Sequence, residues 1–160
     1  MAIKVGDKVP SGTFTVMTAD GPKPMTSDEL FKGKKVVLFA VPGAFTPTCH
    51  KNHLPGFVKN LGAIKAKGIN TVAVTGVNDV FVMDAWKKAS GAEGIEFLSD
   101  GNGDFAKAIE LWIDGSGMGL GVRSKRYSML VEDGVVKKLN VEEAPGKADL
   151  SGAENLLKQI

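Results

Sequence analysis

The chain has 160 residues, 43% hydrophobic and 24% charged, with a formal net charge of +2 from 20 Lys and Arg against 18 Asp and Glu. That length suits one domain over residues 1–160, and the composition excludes a disordered chain and a disulfide scaffold. Balanced charge without an aromatic-interleaved basic stripe argues against nucleic acid, and the longest apolar run, six residues, is far short of a membrane span. In chain order, residues 12–16 read as a first strand, and Thr26 to Glu29 offer caps for a short helix ending near Gly33. Residues 36–41 are a continuous apolar run, the pattern of a strand covered on both faces. A helix is predicted over 46–67, with Leu54, Phe57, Val58, Leu61 and Ile64 at helical spacing, Gly68 past its end and Pro55 kinking its interior. A second buried strand is read at 70–75, and Asp79 caps a helix to about Ala89. A strand at 95–98 and a helix at 104–111 follow, then a glycine-rich loop at 115–121. Strands at 127–131 and 135–139 flank Glu132-Asp-Gly134, where Asp-Gly signals a hairpin, and Ser151 starts a last helix to about Gln159.

Strands alternating with helices, then a hairpin and a closing helix, describe an α/β protein with a mixed central sheet, in the element order of the thioredoxin fold. The N-terminus lacks the basic-then-apolar pattern of a secretory signal. With one cysteine an internal disulfide is excluded, so a reducing compartment is expected: the cytoplasm, or an organelle after removal of a transit peptide.

That one cysteine, Cys49, stands in Pro42-Gly-Ala-Phe-Thr46-Pro-Thr-Cys49, directly after the apolar run. A strand that empties through a Pro/Gly turn into a helix start presents its thiol to unpaired N–H groups and the positive end of the helix dipole, which favour the thiolate. Thr46, one turn earlier, can set its hydroxyl beside the sulfur, and Pro42 can shield it from bulk water. A cation must arrive from elsewhere, and Arg123 and Arg126, entering the 127–131 strand, are the two candidates.

Bland readings hold for the other features. Gly115, Gly117, Gly119 and Gly121 follow no clear strand, so a flexible loop is expected rather than a nucleotide cradle. Asp100-Gly-Asn-Gly-Asp104 begins like a calcium loop, but Phe105 and Leu111 stand where its glycine and closing glutamate belong. His50 and His53 lie near Cys49 without a second ligand pair, so His53 is read as packed or hydrogen-bonded and His50 as a surface residue. Trp86 and Trp112 read as core or interface aromatics, and Lys87-Lys88 and Lys137-Lys138 as solvated faces.

Pro42-x-x-x-Thr46-x-x-Cys49 resembles the active-site pattern of the peroxiredoxins. His53-Leu-Pro-Gly-Phe57, Val77-Asn-Asp79 and Arg126-Tyr-Ser-Met129 are similar to the atypical peroxiredoxin 5/type II branch, in order along nearly the whole chain. The resemblance implies a thiol-dependent peroxidase of antioxidant defence and redox homeostasis. Cys49 would be the peroxidatic nucleophile, Thr46 the hydroxyl partner of the peroxide, Pro42 the pocket wall and Arg126 the polarising cation, with backbone N–H groups of Gly43 and Cys49 as further donors. Arg123 is left a role in supporting the loop. It implies no metal, flavin, haem or nucleotide, and a homodimer packed near the pocket. Members of the branch often carry a resolving cysteine, but Val74 and Leu150 occupy its usual places. The expected cycle therefore has one cysteine and borrows an external thiol: glutathione, glutaredoxin or thioredoxin. A redox sensor whose partner binding follows Cys49 oxidation is one alternative. A protein-disulfide oxidoreductase is another, disfavoured by the missing Cys-x-x-Cys.

Overall fold

A computed structural model describes residues 2–144 and 146–160. Its centre is a seven-stranded mixed sheet in the order β2-β1-β5-β4-β3-β8-β9. These strands are β1 (Thr13–Thr18), β2 (Gly21–Thr26), β3 (Lys35–Ala40), β4 (Thr71–Gly76), β5 (Glu96–Ser99), β8 (Tyr127–Glu132) and β9 (Val135–Val141). β3, β4 and β5 run parallel, while β8 pairs with β3 in the opposite direction. Along β3 and the residue after it the side chains alternate between two cores: Val37, Phe39 and Val41 face one, and Val36, Leu38 and Ala40 the other. The unbroken apolar run is thus explained by helices on both faces of a thioredoxin-like sheet. The expected α/β architecture is what the chain adopts.

The local signals mostly land where expected. Thr26 caps α1 (Ser27–Phe31) through a reciprocal bond pair with Glu29, and Asp79 accepts from Val82 N–H to start α4 (Val80–Ser90). Asp133 and Gly134 both take positive φ, 46° and 79°, as the β8–β9 turn requires.

Three features differ from the sequence reading. β2 was not expected, because Pro22 and Pro24 break its pattern; as the outer strand of the sheet it tolerates two residues that cannot donate. The glycine-rich loop is bracketed by a two-stranded ribbon, β6 (Trp112–Asp114) and β7 (Val122–Ser124), with a 3₁₀ turn at Ser116–Met118. Strands of three residues carry too little periodicity to be seen. Third, the expected continuous helix over 46–67 is three pieces: a π turn at Cys49–His53, α2 (Leu54–Lys59) and α3 (Leu61–Lys65), separated at Asn60. Pro55 lies in the first turn of α2, directly after the π turn, where its missing N–H is least costly. The remaining helices are α5 (Asp104–Ala108) and α6 (Ala153–Leu157).

Candidate active site

Cys49 lies beyond the C-terminal end of β3, on the first residue of the π turn, and is 0% exposed. Open α/β sheets bind ligands outside the carboxyl ends of their parallel strands, and this is such a place. The loop joining β3 to the turn is pinned from three sides. Val41 N–H donates to the Thr75 carbonyl at 3.0 Å, and Ala44 N–H donates to Asn78 Oδ1 at 2.9 Å. Arg123 Nη1 donates to the Pro42 carbonyl at 3.4 Å, while its Nε donates to the Leu120 carbonyl at 2.9 Å. Phe45, 47% exposed, holds φ at +63°, a conformation that costs a bulky side chain energy and is typical of over-determined site loops.

The two arginines separate cleanly. Arg123 supports the loop, as expected, whereas Arg126 reaches the sulfur: its Nη2 donates to Cys49 Sγ at 2.9 Å. Sheet register makes this meeting. Ala40 faces Tyr127, so the residue before Tyr127 arrives level with the chain leaving β3. Arg126 is only 3% exposed. The contact is a charge-assisted donor aimed at sulfur between two side chains shut off from water.

Thr46 lies one turn before Cys49, and its hydroxyl donates to the Gly43 carbonyl at 2.6 Å. Its proton is thus committed to the loop, and its oxygen presents lone pairs elsewhere. Gly43 is closely approached here: a Cβ there would lie 2.9 Å from Thr46 Cγ2 and 3.1 Å from Arg123 Nη1. Pro42 and Gly43 are buried in the same loop.

His53, 1% exposed, was read as packed or hydrogen-bonded and is both. Its ring lies edge-on to Phe39 and Phe57, which stack on each other at 3.9 Å. Burial, reinforced by the Arg126 charge, pushes its pKa down from 6.5 to about 3, so the ring is neutral at physiological pH. Nε2 lies 3.0 Å from the Ser151 carbonyl, which only accepts, so that nitrogen carries the proton. Nδ1 is then the acceptor for Arg126 Nη1, also at 3.0 Å. His50, expected on the surface, is instead half-buried and accepts from Trp86 Nε1 at 3.1 Å; no spacing pattern links residues 36 apart. Trp86 is a core residue, whereas Trp112 is 40% exposed, with the Lys107 ammonium over its ring. Among the described residues no group of His, Cys, Asp and Glu is arranged to hold a metal, and no helix is long and apolar enough to cross a membrane.

Sequence reasoning missed Asn78, Glu142 and Ser151. Asn78 was visible only as part of Val77-Asn-Asp79; its work is to hold the Ala44 N–H. Glu142 follows β9 with no local mark, and Ser151 was read only as the start of the last helix, which instead begins at Ala153 after Gly152.

A cysteine at the mouth of a thioredoxin-like sheet, with an arginine bonded to its sulfur, defines a thiol-based redox protein. The Redoxin family model matches residues 4–157. Chloroplastic peroxiredoxin-2E of Arabidopsis thaliana is 48% identical over 164 residues, covering 99% of this chain and 70% of its own length. Reduced Prx3 of Vibrio vulnificus in complex with H2O2 superposes with a TM-score of 0.94 at 48% identity, covering 98% of both chains. Peroxiredoxin 5 of Alvinella pompejana does so at 0.83 and 34% identity, again over 98% of both. The chain belongs to the redoxin family as a peroxiredoxin of the peroxiredoxin 5/type II-like kind, with a single cysteine.

Proposed function

We propose that this peroxiredoxin reduces hydrogen peroxide and alkyl hydroperoxides at Cys49 and returns to its thiol state with an external thiol. The observation that carries the reading is the 2.9 Å bond from Arg126 to the Cys49 sulfur, both side chains being buried. The thiolate attacks the nearer peroxide oxygen, an S–O bond forms as the O–O bond breaks, and the departing oxygen leaves as water or alcohol after taking a proton. Arg126 offsets the charge moving from sulfur to the departing oxygen. Thr46, its own proton held by Gly43, accepts a hydrogen bond from the peroxide O–H. Gly43 and Cys49 N–H groups donate to the peroxide, and Pro42 walls the pocket. Cys49 sulfenic acid then condenses with glutathione, glutaredoxin or thioredoxin, releasing water, and a second thiol frees Cys49.

Partners follow the same logic: peroxide, an external thiol and a second copy of the chain, with neither nucleic acid nor membrane. The homodimer is supported by Phe45 and Phe81, exposed apolar residues that a dimer face near the pocket would cover. Sedimentation should give twice the monomer mass. A cytoplasmic or organellar setting suits a thiol cycle; the Arabidopsis relative bears the word chloroplastic in its name.

Replacing Cys49 by Ser should abolish peroxide turnover in a coupled thiol assay. Substantial remaining turnover would sink the reading.

A further inference from the structure

Arg126 is held by more than its bond to sulfur. Three residues, Glu142, Ser151 and His53, close a ring of hydrogen bonds with it, and two of them come from the segment after β9. Glu142 N–H donates to the Arg126 carbonyl at 3.0 Å. Glu142 Oε2 accepts both the Ser151 N–H and the Ser151 hydroxyl, each at 2.6 Å. The Ser151 carbonyl accepts from His53 Nε2, and His53 Nδ1 accepts from Arg126 Nη1. The path therefore leaves Arg126 by its backbone and returns to its guanidinium. The other terminal nitrogen, Nη2, is the one that meets Cys49.

We propose that Glu142, acting through Ser151 and His53, is a positioning residue that sets the angle of the Arg126 guanidinium over the Cys49 sulfur; this rests on the peroxidase reading above.

Direction of bonding makes the ring specific. Ser151 gives two protons to one carboxylate oxygen, and its carbonyl is then fixed by the same anchor. That carbonyl can only accept, which selects the Nε2–H tautomer of His53 and leaves Nδ1 with a lone pair aimed at Arg126. A flipped or protonated His53 would present an N–H to the guanidinium and push it away. Burial alone would raise the Glu142 carboxyl, but the Ser151 and Leu150 donors hold it below the usual carboxylate range, so the anchor stays anionic at neutral pH. Glu142 is 7% exposed and Ser151 0%. A carboxylate this buried is costly unless its bonds are complete, which makes an all-or-none clamp rather than a loose surface contact. Arg126 is planar, so a rotation of its fork that loses His53 also moves Nη2 off the sulfur.

The test compares the full-length wild-type chain with Glu142→Ala, Glu142→Gln and Ser151→Ala. Three quantities are read: the second-order rate of Cys49 sulfenic acid formation with hydrogen peroxide, the ¹⁵N imidazole spectrum of His53, and thermal unfolding. Glu142→Ala should slow oxidation by about ten- to a hundredfold, the scale of a misplaced catalytic group. It should also replace the single Nε2–H tautomer signature of His53 by a mixture. Glu142→Gln keeps an oxygen for Ser151 and should recover most of both. Ser151→Ala, which loses the hydroxyl but keeps the N–H, should fall between. Oxidation at the wild-type rate in Glu142→Ala overturns the proposal. So does slow oxidation with an unaltered His53 spectrum, or a Glu142→Gln variant as slow as Glu142→Ala. If Glu142→Ala does not fold, Glu142→Gln and Ser151→Ala decide through the same two readouts. A wild-type chain that turns over no peroxide would instead refute the peroxidase reading, and the His53 spectra would still test the ring.

Discussion

His53 links a single side chain to the stability of the whole chain. Burial first, and the Arg126 charge second, hold its pKa at about 3 against 6.5 in a solvated chain. The unfolded state therefore binds more protons between those values, and stability must fall as pH falls. The contribution is complete above about pH 6.5 and is lost progressively toward pH 3. Between pH 6.5 and 5 the loss is about 2 kcal/mol, at 1.36 kcal/mol per unit. Urea unfolding at pH 7.5 and 5.0 measures it, with His53→Gln as the control. Carboxylates titrate in both proteins, so the difference in slope belongs to His53, and equal slopes would show that the ring is not held neutral. Arg126 is argued the same way. Lysine keeps a charge but has no planar fork to span His53 and Cys49 at once, so Arg126→Lys should reduce the rate of Cys49 oxidation by about a hundredfold. Stopped-flow oxidation would measure that rate, and a near wild-type value would show that charge alone suffices. Cys49, Thr46 and Pro42 were legible because they lie on one short loop. The ties of His53 were not, since they join residues 73 and 98 positions apart.

At the scale of elements, the π turn and the loop before it decide where the sulfur sits. A π turn holds one residue more than an α turn, so the face presented before it is rotated by about 100° from the face continued after it. Leu54 and Phe57 can then stay in the core while Cys49 and His53 turn toward Arg126. Spacing at three and four residues located the helical segment but cannot register an inserted residue within it. Pro55 was read as a kink; its place just after the π turn shows the irregularity beginning before it. Gly43 is the loop position with least room. Gly43→Ala forces Thr46 aside and weakens the bond from its hydroxyl to the Gly43 carbonyl. Since the clash is with the end of a side chain, stability should change by no more than about 1 kcal/mol. The kcat/KM for peroxide should fall by about tenfold, by the misplacement argument. A drop in melting temperature with unchanged kcat/KM would remove Thr46 from the site.

Across the whole molecule, the sheet brings the site together. β3 ends at the cysteine loop, β8 begins directly after Arg126, and their antiparallel register sets the two ends level. The segment after β9 folds back to supply Glu142 and Ser151. The alternation and turn signals were strong enough to reveal β3, β4, β8 and β9, but a register between strands 90 residues apart has no local mark. Arg123 and Arg126 therefore could not be told apart by periodicity, and only the resemblance separated them. The same architecture shapes the chemistry of recovery. Cys49 is this chain's one cysteine, so its sulfenic acid has no partner within the chain. Its sulfur is buried, which disfavours direct joining of two folded copies through their Cys49 residues. A small thiol, or a protein thiol that displaces the turn, is then the remaining route. After one equivalent of hydrogen peroxide followed by glutathione, intact mass spectrometry should find one glutathione on Cys49, removable by dithiothreitol. A non-reducing gel should show little disulfide-linked dimer. A Cys49–Cys49 dimer as the main product would mean that the turn opens widely on oxidation, and the external-thiol cycle would have to be abandoned.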